Sequence, residues 1–346
     1  MSGPQDSEDD RRASVACRRL HAFACDLLVA GGASELDAPT VADVLIWGDS
    51  HGRHEYGLQR IPELIRRVRA GLLVTPARLE WHEVSDAATV LDAAHGFGQV
   101  AGIAALDAAA SRATRMGVGV CAVRNSNHFG AAGVYAERAA AVGLVGLIFS
   151  NAYPKVAPYG GTTPALGTNP LALGCPTSGA PIVVDLATSA AAGSSIRDAL
   201  ASEASFPGGV TTDQSGSVLL PAAGPKGTAL ALAVEILTGA MSGGLAGPDV
   251  GSIFNTWDRP VGASHFFLVL SPARFGDVAG FVDRVDRTVD AIHASTPAPG
   301  FSGVRVPGER GAELARAADR AGIALPVKVA QGLERLADQF GLTPPW

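Results

Sequence analysis

Val123 to Asn151 reads VRNSNHFGAAGVYAERAAAVGLVGLIFSN. The apolar run that enters it, Val118 to Val123, predicts a buried strand, and Leu144 to Phe149 predicts a second. Between them, Arg124, Asn125, Ser126, Asn127 and His128 crowd together, Gly130 and Gly133 follow, and Tyr135 to Ala141 is made of good helix formers. His128 therefore falls on a strand-to-helix connection. The first amides of a helix have no internal partner there, which suits anions and reacting polar groups. Taken alone, a histidine in such a turn reads as one that is hydrogen-bonded to its neighbours.

The rest of the chain frames this stretch as part of an α/β protein. At 346 residues it has room for one large or two ordinary domains, and 47% hydrophobic residues with few charges predict a well-buried globular chain. Alanine and glycine dominate, so the core is built from small side chains that allow close approach. A net charge of −6 with no long basic run argues against nucleic acid, whose phosphates need a basic footprint. No apolar run reaches membrane-spanning length and the start does not resemble a signal peptide, so a cytoplasmic protein is expected. Residues 1–12 read as a frayed tail. Cys17, Cys25, Cys121 and Cys175 form no C-x-x-C pair or zinc spacing, which predicts free thiols and no metal.

Working outward, Ser14 to Ala30 carries apolar residues at helical spacing and Gly31-Gly32 stops it. Ser34 with Asp37 predicts a capping box for a helix that runs to about Gly48. Asp49-Ser50-His51-Gly52 follows. A hydroxyl beside an imidazole can orient it and relay protons; the same residues also make an ordinary polar turn. Pro62 to Ala70 predicts a helix, Leu79 to Val84 and Thr89 to Ala93 strands, and Val100 to Met116 an alanine-rich helix. Val156 to Asn169 predicts a long ordered loop, with Lys155 just before it and Tyr159 within it as further polar candidates. Ile182 to Asp185 predicts a strand ending in an acid; that acid suits either a helix cap or a histidine partner. Lys226 precedes a predicted helix, Ala229 to Thr238, and Met241 to Pro260 reads as irregular. His265 to Leu270 predicts a strand, and Arg274 to His293, Gly311 to Ala321 and Pro326 to Phe340 predict helices. No G-x-G-x-x-G follows the first strand, so a Rossmann domain is not supported. The expected division is a helical domain from 13–78 plus 296–346 and an α/β domain at 79–295.

SNHFGAAGVYAERAAAVGLVGL, Val156 to Pro176 (VAPYGGTTPALGTNPLALGCP), Val183 to Ser189 (VVDLATS), His265 to Gly276 (HFFLVLSPARFG) and Val306 to Arg310 (VPGER) together resemble the malate/L-lactate dehydrogenase family of the non-Rossmann type, which includes ureidoglycolate and sulfolactate dehydrogenases and cyclic imino-acid reductases. The resemblance runs from about Ala33 to Leu342. It implies a mixed-sheet α/β fold flanked by helices, NAD or NADP as cofactor, a small carboxylate substrate, and a homodimer with its site near the subunit interface. It places Ser50 and His51 facing substrate, Asp185 as the acid that steadies a histidine, and His128 close to the reacting carbon. Arg60 is the preferred carboxylate clamp, because a guanidinium can grip a carboxylate with two parallel bonds. Arg53 is the second candidate and Tyr56 shapes the pocket. Cofactor contacts fall to Leu186, Ala187, Thr188 and Lys226, with the Gly308-Glu309-Arg310 turn and the position held by Ala152.

The chain departs from that pattern at five places. Arg53 to Gln59 lengthens the segment between His51 and Arg60. Ala152 stands where a serine is common. Gly193-Ser194-Ser195 replaces a basic residue and lysine, Pro225 replaces a histidine, and Phe206 to Ser217 is shortened. The expected activity is hydride transfer between NAD(P)(H) and a 2-hydroxy, 2-oxo or cyclic 2-imino acid. The departures leave two rivals: non-redox isomerase, cyclase or lyase chemistry in the same pocket, or a catalytically silent binding protein.

Overall fold

The computed structural model describes residues 14–191, 209–212 and 218–346. The readings of the tail at 1–12, of Gly193 to Ser195 and of most of Phe206 to Ser217 lie outside the described residues. In chain order the elements are α1 (Cys17–Ala30), α2 (Ala38–Ser50), α3 (Ile61–Arg69), β1 (Glu80–Ser85), β2 (Ala88–Asp92), α4 (Gly98–Met116), β3 (Val118–Ser126), α5 (Ala132–Ala141), β4 (Val145–Ser150), β5 (Leu171–Cys175), β6 (Ile182–Leu186), α6 (Pro225–Glu235), β7 (Ala263–Leu270), α7 (Val278–His293), α8 (Glu309–Ala321) and α9 (Val327–Phe340). The described residues fall into two compact units, those up to Pro76 with 310–346, and those from Ala77 to Glu309. The second crossing between units thus lies at the start of α8, whereas the sequence reading put it near Ser295.

The first unit is helical. Leu20, Phe23, Ala24, Leu27 and Leu28 are all buried on one stripe of α1, each large member worth about 1.5–3 kcal/mol over leaving it in water. α1 ends where a Cβ on Gly31 would lie 2.5 Å from Ile65 of α3, so only glycine lets the two meet. The early and late segments join through backbone bonds between Val15 and Ile323 (3.0 and 2.9 Å), through Phe23 edge-on to Trp346, and through Arg69 over the Phe340 ring. The expected capping box forms only in part. Ser34 Oγ accepts from the Asp37 amide (3.1 Å). The Ser34 amide, however, donates to Thr75 Oγ1, whose hydroxyl donates to Asp37, and α2 starts later, at Ala38.

The second unit is a seven-stranded mixed sheet in the order β1-β2-β3-β7-β4-β5-β6. β2 and β3 are parallel and the other neighbouring pairs antiparallel. α4 and α5 lie close on one face because strand glycines face them. A Cβ on Gly119 would sit 1.9 Å from Ala109 O of α4, and one on Gly174 would sit 1.9 Å from Ala136 O of α5. β5 is not predicted as a strand by its sequence. Its short apolar run gives no alternation, and it pairs on both edges. α6 starts earlier than its apolar run, with Pro225 in its first turn, where a missing N–H costs nothing. It runs on into a π-helical turn, Ile236–Ala240. Arg274 belongs to a short 3₁₀ turn, and α7 begins only after Asp277, whose carboxylate caps it through Ala279 and Gly280.

Candidate active site

In the first unit the polar candidates gather at the end of α2. Ser50 is its last residue and His51 its C-cap. The His51 Nδ1 lies 2.9 Å from the Trp47 carbonyl, a carbonyl of the last helical turn that also takes the His51 backbone amide (3.1 Å). A carbonyl can only accept, so Nδ1 carries the proton and Nε2 of the neutral ring carries the lone pair. The Ser50 hydroxyl donates to the same carbonyl (3.1 Å) and lies 3.1 Å from Nδ1. Trp47 stacks on the imidazole, 4.1 Å between centroids. Gly311 of α8 approaches the far edge: a Cβ there would be 3.3 Å from His51 Cδ2.

The residues between His51 and Arg60 form two 3₁₀ turns, His54–Tyr56 and Leu58–Arg60, wrapped around Asp49. Asp49 is buried. Its carboxylate takes His54 Nδ1 (2.8 Å) and the Leu58 amide (2.7 Å). Burial pushes its carboxyl above the usual range, against the opposing pull of His54 and that amide. Arg60 is buried and its Nε donates to Glu55 O (2.6 Å), so a two-bond grip on a carboxylate falls to its terminal nitrogens. Arg53 precedes the first turn and Tyr56 ends it, both half-buried.

In the second unit, His128 follows β3. The Gly130 amide points at its Nδ1 (3.4 Å); a neutral ring receiving that bond carries its proton on Nε2 and presents a donor. Asp185, on β6, accepts from the Gly133 amide of the first turn of α5 (3.1 Å), where a carboxylate also suits the helix dipole. Asn127 is clamped by its Nδ2 to the carbonyls of His95 (2.8 Å) and Gly96 (3.0 Å). Its Oδ1, both amide atoms of Gln99 and His95 Nδ1 are buried with no hydrogen-bond partner among the described residues. Such orphans are rare in native proteins and mark places for a polar ligand group or ordered water.

Several of the cofactor candidates of this unit are linked around Thr188. Thr188 donates its amide (2.9 Å) and hydroxyl (3.1 Å) to Thr168 O. The adjacent Asn169 accepts from the Ala152 amide (3.1 Å). Thr188 O takes the Ala222 amide (2.9 Å), and a Cβ on Gly227 of α6 would be 2.7 Å from it. Lys226 is exposed in the first turn of α6. Leu186 and Ala187 lead into Thr188, and Tyr159 lies over Gly224, the N-cap of α6. Gly308 packs on β6, where a Cβ would be 2.7 Å from Val183 N. Glu309 braces that turn by pairing with His293 and accepting the Val306 amide. Arg310, exposed, opens the second segment of the first unit. Lys226 and the first turn of α6 offer donors to an anion, while Gln99 Nε2 offers a donor and Gln99 Oε1 and Asn127 Oδ1 offer acceptors to an amide, groups that fit an anionic dinucleotide bearing a carboxamide. Among the described residues no three His, Cys, Asp or Glu are grouped to hold a metal, and no helix is long and apolar enough to cross a membrane.

Sequence reasoning missed Asp49, His54, Gln99 and His265. Asp49 was readable as an acid five residues before a histidine. His54 is legible only once Asp49 is known to be buried, Gln99 only from its own burial, and His265 only from contacts across the sheet that no local pattern encodes.

The model of the family described as malate/L-lactate dehydrogenase matches residues 15–334. The malate dehydrogenase of Pyrococcus abyssi is 33% identical over 96% of this chain and 97% of its own. The L-sulfolactate dehydrogenase of Methanocaldococcus jannaschii is 35% identical over 82% and 85%, and the ureidoglycolate dehydrogenase (NAD(+)) of Escherichia coli is 30% identical over 85% and 87%. Among solved structures, malate dehydrogenase from Pyrococcus horikoshii superposes with a TM-score of 0.90 at 30% identity, covering 99% of both chains. The Δ1-piperideine-2-carboxylate reductase of Pseudomonas syringae pv. tomato gives 0.85 at 29% identity, covering 94% of this chain and 100% of that one.

Proposed function

The chain belongs to the malate/L-lactate dehydrogenase family of enzymes, and from that premise we propose that it moves a hydride between NAD or NADP and a small carboxylic acid bearing a 2-hydroxy, 2-oxo or cyclic 2-imino group. The observation that carries this is the His51 ring. Trp47 O fixes its proton on Nδ1, so Nε2 is the atom that takes a proton from the substrate's C2 hydroxyl and returns it in the reverse direction. Ser50 steadies that tautomer. His128 is set up differently: with the Gly130 amide at Nδ1 it donates through Nε2, which suits it to holding a developing negative oxygen. Asp185 fixes the start of α5. Arg60 grips the carboxylate, with Arg53 as the second cation of the same segment and Tyr56 shaping the pocket.

When bound, the nicotinamide supplies or accepts the hydride. Lys226 and the backbone of Leu186, Ala187, Thr188 and Ala152 hold the cofactor, with Gly308, Glu309 and Arg310 as the third contact segment. We take the working unit to be a cytoplasmic homodimer. Its four cysteines are free thiols, and Leu230, Leu232, Ile236 and Met241 are exposed on and just beyond α6, apolar side chains of the kind that partners cover.

The test is an assay of purified protein with NADH or NADPH and a panel of 2-oxo monoacids, 2-oxo diacids, 3-sulfo-2-oxo acids and cyclic 2-imino acids, following the absorbance of the reduced nicotinamide. Turnover of at least one class is expected. Binding of neither dinucleotide at millimolar concentration overturns the redox reading and favours non-redox use of the same residues.

A further inference from the structure

We propose that His265 is a positioning residue that sets the His128 loop for catalysis, acting through Ser126 and Phe129. The inference deepens the dehydrogenase reading and rests on it for the kinetic part of its test. His265 is fully buried on β7, the strand between β3 and β4. Its Nε2 lies 2.9 Å from Ser126 Oγ, at the end of β3, and its Nδ1 lies 2.8 Å from Ser150 Oγ, at the end of β4. The Ser150 hydroxyl donates to Asn151 O (2.9 Å). Ser150 Oγ therefore accepts from His265, which puts the proton on Nδ1; the Ser126 hydroxyl, whose other acceptor Asn127 O lies farther off at 3.5 Å, turns to Nε2. Phe129, the residue after His128, lies flat on the imidazole, with centroids 4.2 Å apart and planes 5° apart. Phe129 is held in turn by Tyr135, stacked against its ring and donating to its carbonyl. The two residues that bracket Asn127-His128 are thus both fixed to one ring.

A register break builds this arrangement. Val123 pairs with His265 and Ser126 with Ala263, so β3 spends one more residue than β7 between those pairs. Asn125 takes the left-handed conformation there (φ 50°), and its amide is tied to Asp92. Side chains alternate faces along a strand, and one extra residue reverses the alternation. The bulge therefore turns Ser126 to the face that His265 occupies; without it Ser126 faces the opposite way. Ser150 sits directly opposite His265 on the other side. Nothing in a structural role alone requires a bulge, two serines and an aromatic cover to meet on one imidazole at the root of the loop.

The test compares His265→Gln, His265→Asn, Ser126→Ala and Ser150→Ala in the full-length protein. Glutamine keeps an acceptor where Nε2 stood; asparagine keeps a donor where Nδ1 stood. Positioning through Ser126 predicts that His265→Asn and Ser126→Ala lower kcat about ten- to a hundredfold, with KM for the acid and the dinucleotide changed less than about twofold. His265→Gln should retain most of kcat. Equal losses in Gln and Asn variants, or losses carried by KM, overturn the proposal.

Ser126→Ala keeps the ring and its stack, so it tests the idea even if the His265 variants do not fold. Nitrogen-15-labelled histidine gives a readout independent of activity. The proposal expects the His128 ring signals to shift and broaden in Ser126→Ala while His51 signals stay in place. Unchanged His128 signals overturn it, even if no acid is turned over and the dehydrogenase reading has failed on its own.

Discussion

The segment around His51 and the loop around His128 both set a histidine among polar groups beside a helix end, yet they are held in opposite ways. Around His51 several bonds are local. Trp47 O takes Ser50 and His51, Asp49 holds His54 and Leu58, and Glu55 O takes Arg60, none spanning more than nine residues. Around His128 the partners come from far along the chain: Asn127 reaches His95 and Gly96, Gly133 reaches Asp185, and Ser126 reaches His265, 139 residues on. Local bracing makes a module. It tolerates a longer connection, and Arg53 to Gln59 fold as turns around a carboxylate already present at Asp49. Distributed bracing makes a loop that can move only if the sheet beneath it moves.

The largest expected effect tests the modular side. His51→Ala should lower turnover by about two to four orders of magnitude and leave the unfolding midpoint close to wild type. The ring's bonds go to a helix carbonyl and a serine that solvent can satisfy instead. Turnover within about threefold of wild type would move the proton to His128. A collapse of stability would show that the segment is not modular.

The distributed side should respond to acid. Burial pulls His265 down to about 3 from an ordinary value of about 6.5. Between those values the unfolded chain holds a proton that the folded one refuses. Stability therefore rises with pH across that window and is complete only above about 6.5, with a limiting slope of about 1.4 kcal/mol per pH unit. Denaturant melts of wild type and His265→Asn at several pH values should show a flatter acid limb in the variant. Parallel limbs would mean that His265 already carries a proton when folded.

A smaller effect is expected at Gly98. A Cβ there would lie 2.3 Å from Asn127 O and 2.6 Å from His128 O, and backbone cannot swing aside as a side chain can. Gly98→Ala should cost about 1–3 kcal/mol of stability and lower turnover as well, because the atoms displaced are those of the His128 loop. Lost stability with full turnover would separate the loop's packing from its chemistry and break the comparison.

The contrast also explains what the sequence could tell. Val118 to Val123 and Leu144 to Phe149 were legible as strands because apolar runs bounded by polar turns have few other uses, and Ser50-His51 was legible because hydroxyl and imidazole are adjacent. That β7 lies between β3 and β4 was not legible: the register comes from pairings more than a hundred residues apart, and only there do Ser126, Ser150 and His265 meet. The bulge at Asn125 shifts a side chain to the other face without changing composition at all. Asp49 was read as part of a turn, since burial, which makes it the centre of the insert, is a property of the folded chain.

The smallest prediction adds a third region, the proposed cofactor edge, whose backbone around Thr188 and Asn169 is buried while its ammonium is not. Lys226 is exposed, so a charge-assisted bond that would be worth about 1.5–3 kcal/mol in a drier place is weakened by solvent. With each 1.4 kcal/mol counting tenfold, Lys226→Ala should weaken NADH or NADPH binding by about tenfold and leave the fold intact. Wild-type binding should itself be weak but measurable, since Ala152 and Ser195 lack the hydroxyl and ammonium groups common at those positions. Ser195→Lys should therefore tighten it by a similar factor. Calorimetric titration of the three proteins with each dinucleotide decides the matter. Unchanged affinity in Lys226→Ala removes that lysine from the phosphate contacts. Tight binding by wild type shows that Ala152 and Ser195 do not limit the cofactor. In either case the edge would hold its ligand as the His128 loop holds its shape, through backbone placed by distant parts of the sheet.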